Sequence, residues 1–96
     1  MYEVKFSWDA RKARQNLRQH KVSFQEAATV FYDENARLIH DPYHSAQEDR
    51  FVLLGLSSQF RILVVCHCYR GKEGSIRIIS ARKADKQEQK QYGTFL

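Results

Sequence analysis

Proline occurs once in this chain of 96 residues, at Pro42, and glycine four times. There is no Pro/Gly-rich linker, no repeat and no low-complexity tract. One domain spanning residues 1–96 is expected, and a chain this short has little surface to spare for a second function. Cysteine is nearly as scarce, with Cys66 and Cys68 alone, flanking His67. In an extended strand both thiols point to one face and His67 to the other, so one strand cannot aim all three at a single ion. Reduced thiols in a reducing compartment are expected, and no metal. The longest apolar run, Ile62 to Cys66, is strand length and far short of the roughly 18 residues of a membrane helix. The start, Met1 to Phe6, alternates rather than forming a signal peptide's continuous apolar core, so a cytoplasmic protein that meets no membrane is expected. A glycine-rich phosphate loop, zinc-ligand spacing and a nucleophile elbow are all missing, so no nucleotide, metal or other cofactor is implied.

Positive charge is what the chain has in excess. Lys and Arg number 16 against 11 Asp and Glu, a formal charge of +5, and the isoelectric point is near 9.4. That balance is compatible with a nucleic-acid partner but also with a merely solvated basic surface. The stretch Ser75–Lys83 narrows the choice. Ile76, Ile78 and Ile79 favour a buried strand, yet Arg77 and Arg82 are residues that are rarely buried unless paired. A sheet with one wet, basic face follows, and guanidinium forks on such a face suit phosphates.

Period and punctuation predict the remaining elements. Tyr2 to Trp8 alternates as an edge strand, and Asp9 caps a helix whose outer face carries Arg11, Arg14 and Arg18. Ser23 and Glu26 form a capping box ahead of Phe24, Ala27, Ala28 and Phe31 at helical spacing. Helices are therefore expected near 9–20 and 23–33. Strands follow at Ala36–His40, Phe51–Ser57, Phe60–Tyr69 and Ser75–Arg82. The short turns at Ser57–Gln59 and Gly71–Gly74 imply antiparallel neighbours. A polar loop from Pro42 to Asp49 holds His44 and Glu48. Asp85 and Glu88 open a last helix toward Gly93. The predicted class is α+β, in the order β-α-α-β-β-β-β-α.

Several fragments in this order are similar to one known family: Phe6-Ser7-Trp8-Asp9, Asn16 with His20, Val22-Ser23-Phe24 leading to Glu26-Ala27, Asp41-Pro42-Tyr43-His44-Ser45 followed by Arg50, and Arg77-Ile78-Ile79-Ser80-Ala81-Arg82. Together, from about Phe6 to Tyr92, they resemble the BrnT family, toxins of bacterial type II toxin–antitoxin pairs. The resemblance implies a RelE-like fold, a mostly antiparallel curved sheet with two N-terminal helices on one face and a short C-terminal helix. It also implies an endoribonuclease that inhibits translation and is neutralised by a BrnA-like ribbon-helix-helix antitoxin, with operator DNA contacted only through the complex. Relatives tend to read Glu-Arg-Gly where this chain reads Tyr69-Arg70-Gly71.

RNA carries its own nucleophile, the 2′-hydroxyl, so positioning and electrostatics can supply most of the catalysis without a triad or a metal. Arg77 is the first candidate. Residues five apart on a straight strand face opposite ways, so Arg77 and Arg82 can share a site only if the strand bulges or ends early. The expected arrangement therefore puts Arg77 on one face with His67 and Arg61, with Arg82 and Lys83 at the sheet rim. His67 is the candidate acid or base, because an ordinary imidazole titrates near neutrality. Tyr92 is a candidate donor or stacking partner. Arg61, Arg70, Lys83, Arg50 and Trp8 are candidate RNA contacts. Against this stands a non-catalytic module that binds RNA or a partner through the same basic surface.

Overall fold

The computed structural model describes residues 4–40, 50–71 and 74–93. Its elements are β1 (Phe6–Ser7), α1 (Ala10–His20), α2 (Phe24–Thr29) continued by a 3-10 turn (Val30–Tyr32), β2 (Arg37–His40), β3 (Arg50–Leu56), β4 (Ile62–Arg70), β5 (Ser75–Lys83) and α3 (Lys86–Gly93). The strands form one sheet in the order β1-β5-β4-β3-β2. All pairings are antiparallel except β1 with β5. The α+β order read from the sequence holds, and β1 is an edge, as its alternation predicted. The polar loop with His44 and Glu48 lies outside the described residues. Among the described residues, no helix is long and apolar enough to cross a membrane.

Each helix begins where the sequence supplies a cap. The Asp9 carboxylate accepts from the backbone N–H groups of Arg11 (2.8 Å) and Lys12 (3.1 Å), which satisfies donors no helical carbonyl can reach. The Ser23 hydroxyl does the same for the N–H of Glu26 at 3.0 Å. Asp85 and Glu88 cap α3 reciprocally, Asp85 N–H to Glu88 Oε1 at 2.9 Å and Glu88 N–H to Asp85 Oδ1 at 2.8 Å.

Helices α1 and α2 cover one face of the sheet, referred to below as the helix face. There Val22, Phe24, Ala27 and Val30 meet Leu53, Leu63, Val65, Ile76, Ile78 and Ala81. Burial of this apolar surface is the main stabilising term of the fold. Asn16 is buried within it and fully satisfied: its amide donates to the carbonyls of Val22 (2.9 Å) and Ala81 (2.8 Å) and accepts from Ala81 N–H (3.1 Å). This one side chain ties α1 to both α2's lead-in and β5. Gly55 is required by contact rather than by a turn. A Cβ there would stand 2.7 Å from Val30 Cγ1 and 2.9 Å from Ala36 Cβ.

The other face, the open face, is only partly covered. There Tyr92 of α3, with Ala84 from the link between β5 and α3, packs against Leu54 and Val64. The Tyr92 hydroxyl reaches past the sheet to donate to Asp33 Oδ2 at 2.7 Å, and the Leu56 N–H donates to the same oxygen at 2.8 Å.

Candidate RNA-binding face

Cross-strand register decides which side chains meet. Residues paired across a ladder point to the same side of the sheet. β4 pairs with β5 as Val64↔Arg82, Val65↔Ala81, Cys66↔Ser80, then His67↔Ile78 and Cys68↔Arg77. Between Cys66 and His67 the register shifts, leaving Ile79 as an extra residue on β5. Such a bulge resets the alternation of the strand that carries it. Arg77 before the bulge and Arg82 after it therefore lie on the same face. The straight-strand expectation that they oppose each other is corrected by this one inserted residue.

The same register separates Arg77 from His67. His67 shares the helix face with Ile78, Phe51 and Leu63, whereas Arg77 shares the open face with Cys68. The expected cluster of Arg77, His67 and Arg61 does not form. His67 is fully buried. It packs edge-on to Phe31 and Tyr69, with ring centroids 4.7 and 5.3 Å away, and its Nδ1 lies 3.2 Å from the Val65 carbonyl. Burial holds its pKa below the ordinary histidine value, against the opposing effect of the Val65 carbonyl. An imidazole in that setting is a neutral core side chain.

Arg61 is also on the helix face and is already engaged. Its Nε donates to Glu26 Oε2 at 2.9 Å, an Nη2 group meets Glu26 Oε1, and Nη2 donates to the Lys21 carbonyl at 3.0 Å. Ser57 Oγ donates to the same Glu26 at 2.7 Å. The Arg61 guanidinium holds the Glu26 carboxyl below the usual carboxylate range despite burial. Lys83 pairs with Leu63 and so belongs to the helix side at the strand's end, opposite to Arg82. Trp8 packs edge-on to Phe24 at 5.9 Å, as part of the core. Tyr92 is 5 % exposed and its hydroxyl is committed to Asp33. Burial, together with Asp33, pushes it up to about 12. A base cannot stack on a ring in that position.

What the open face gathers is arginine. Arg50 on β3, Cys68 on β4 and Arg77 on β5 make one cross-strand row. Arg37, Leu54, Val64 and Arg82 make another, with Ile39, Val52, Cys66 and Ser80 between them. Arg70, exposed at the end of β4, falls on the same side opposite Ser75. Arg82 is oriented by a two-pronged pair with Glu88, 2.7 and 2.8 Å, which raises its pKa. Among the described residues Arg77 makes no hydrogen bond or ion pair. Arg37 was not singled out from the sequence, and Glu88 was read there only as part of the cap of the last helix. The consecutive Ile78-Ile79 before Ser80 breaks the strand's alternation and is the signal that could have located the bulge.

A family model for the ribonuclease toxin BrnT, of type II toxin–antitoxin systems, matches residues 8–88. The chain belongs to the BrnT family. A BrnT chain is a ribonuclease toxin, with RNA as its substrate and an antitoxin as its partner. The fold agrees: a 1.1 Å crystal structure of the ribonuclease toxin BrnT from Brucella abortus superposes with a TM-score of 0.68 at 21% identity, covering 88% of this chain and 100% of that one. No curated protein sequence matches the chain.

Proposed function

We propose that this BrnT chain cuts RNA on the open face, with Arg77 at the centre of the site and Arg82, Arg50 and Arg70 around it. The observation that carries this reading is the bulge at Ile79, which turns Arg77 and Arg82 to one side of the sheet. The RNA 2′-hydroxyl gives up its proton to water as its oxygen attacks the adjacent phosphorus, and the P–O5′ bond breaks with the 5′-oxygen taking a proton from water, giving a 2′,3′-cyclic phosphate and a 5′-hydroxyl. Negative charge builds on the phosphorane oxygens during that step. Guanidinium groups fixed by a sheet stabilise it without reorganising, which is where electrostatic catalysis gains most. Arg82 is held ready by Glu88, and the fork of Arg77, which makes no hydrogen bond or ion pair among the described residues, is offered to a phosphate. Charge supplied this way makes a metal unnecessary. His67 and Tyr92 act as core residues in this reading, not as acid, base or stacking partner.

The antitoxin is a BrnA-like ribbon-helix-helix protein, through which alone the complex contacts operator DNA, and the toxin acts on translation in the cytoplasm. A defined RNA incubated with purified protein in EDTA tests the chemistry. The expected products end in 2′,3′-cyclic phosphate, a 2′-deoxy substitution at the cut site abolishes them, and Arg77→Ala slows cleavage at least a hundredfold, about the cost of losing one transition-state donor. Dependence on a divalent ion, or cleavage of the 2′-deoxy substrate, would overturn it.

A further inference from the structure

The β3–β4 turn holds a side chain that neither the core nor the open face accounts for. Phe60 is 84% exposed, and its φ is +62°. Ser57 N–H donates to Arg61 O at 2.8 Å and Phe60 N–H to Ser57 O at 2.9 Å. That pattern is a three-residue hairpin loop, whose last position sits in the left-handed region and ordinarily takes glycine. The sequence pattern had assigned Phe60 to the strand; the turn claims it instead. A bulky residue there carries a backbone penalty and gains no burial in return. Strain without burial points to a use outside the fold.

The surroundings say what that use is. Arg61 follows directly and reaches the carbonyl of Lys21. Lys21 is exposed and is the only other described non-glycine residue with positive φ, at 59°. Lys83, also exposed, acts electrostatically on the same Glu26 that Arg61 holds. The turn that exposes Phe60 is thus tied through Arg61 to Lys21 and through Glu26 to Lys83, and an exposed ring with cations nearby on the same surface is an arrangement by which proteins bind single-stranded nucleic acid, with bases on the ring and phosphates on the cations. Four residues along the strand, Val64 pairs with Arg82, so the turn lies roughly 13 Å from the near edge of the arginine face.

We propose that Phe60 is an RNA subsite: a base unstacked from the substrate strand packs on its ring, with the flanking phosphates near Lys21 and Lys83. This rests on RNA being cut on the open face, and it extends the footprint beyond that face. The test uses a 2′-O-methyl RNA of about ten nucleotides, which binds but lacks a free 2′-hydroxyl, titrated at low salt. Phe60→Gly suits the left-handed backbone, so the variant is expected to fold with an unchanged or raised Tm while its RNA affinity falls about tenfold. Phe60→Tyr keeps a ring and is expected to restore affinity. The proposal is overturned if Phe60→Gly binds as tightly as the unaltered chain. It is also overturned if the same variant loses affinity only for the antitoxin, which would make the ring a protein anchor. Either result would leave the Arg77 dependence of cleavage standing, so the two readings fail separately.

Discussion

Arg61 and Arg77 carry the same guanidinium on adjoining parts of one sheet, and the two faces use it differently. On the helix face, Arg61 neutralises the buried Glu26 and ties the β3–β4 turn to the end of α1. On the open face, Arg77 stands in a row with Arg50 and makes no hydrogen bond or ion pair among the described residues. The difference is one of neighbours. The helices bring a carboxylate and a carbonyl into direct contact with Arg61, whereas α3 brings Glu88 only to Arg82, and Arg77 acts on the Asp9 carboxylate through its charge without a hydrogen bond or ion pair among the described residues. Residue type alone therefore marks neither arginine as functional. What separates the two is the set of contacts each makes among the described residues.

Changes on the helix face are expected to alter stability and leave chemistry alone. His67→Ala removes a fully buried ring from the Phe31, Phe51 and Tyr69 cluster, and should cost about 3 kcal/mol by chemical denaturation. Cleavage per folded molecule should stay within about twofold. Gly55→Ala forces a methyl against Val30 and Ala36 on the same side, at a cost of about 2 kcal/mol in the same measurement.

A smaller effect should appear with pH. The folded pKa of His67 is depressed, so below the unfolded value near 6.5 the unfolded chain binds a proton that the folded chain refuses. Stability from this source is present above about pH 6.5 and is lost as pH falls through that value toward the lower folded pKa. Thermal unfolding of the wild type and His67→Gln between pH 8 and 5 should diverge in that window, with the wild type falling more steeply. Parallel curves would mean that the imidazole is not held neutral.

Much of this was legible in the sequence, because local chemistry sets local structure. Asp9, Ser23 and the Asp85–Glu88 pair announced their helices, and the alternation around Cys66-His67-Cys68 correctly separated the thiols from the imidazole. What the alternation could not supply was register. His67 could be given a face, but whether Arg77 shared it depended on the pairing with β5, a non-local quantity. The bulge at Ile79 then reversed the relation between Arg77 and Arg82, since one extra residue flips every side chain beyond it. Phe60 was misread for a related reason. An aromatic next to Arg61-Ile62 looks like strand, and the glycine that ordinarily marks such a turn is missing.

The separation of the two faces is tested most directly by cleavage of one defined RNA by Arg77→Ala and His67→Gln, compared at equal concentrations of folded protein. The account predicts a loss of at least a hundredfold for Arg77→Ala and a rate within about twofold of wild type for His67→Gln. A large loss for His67→Gln alongside an unchanged Arg77→Ala would place the chemistry on the helix face and contradict it.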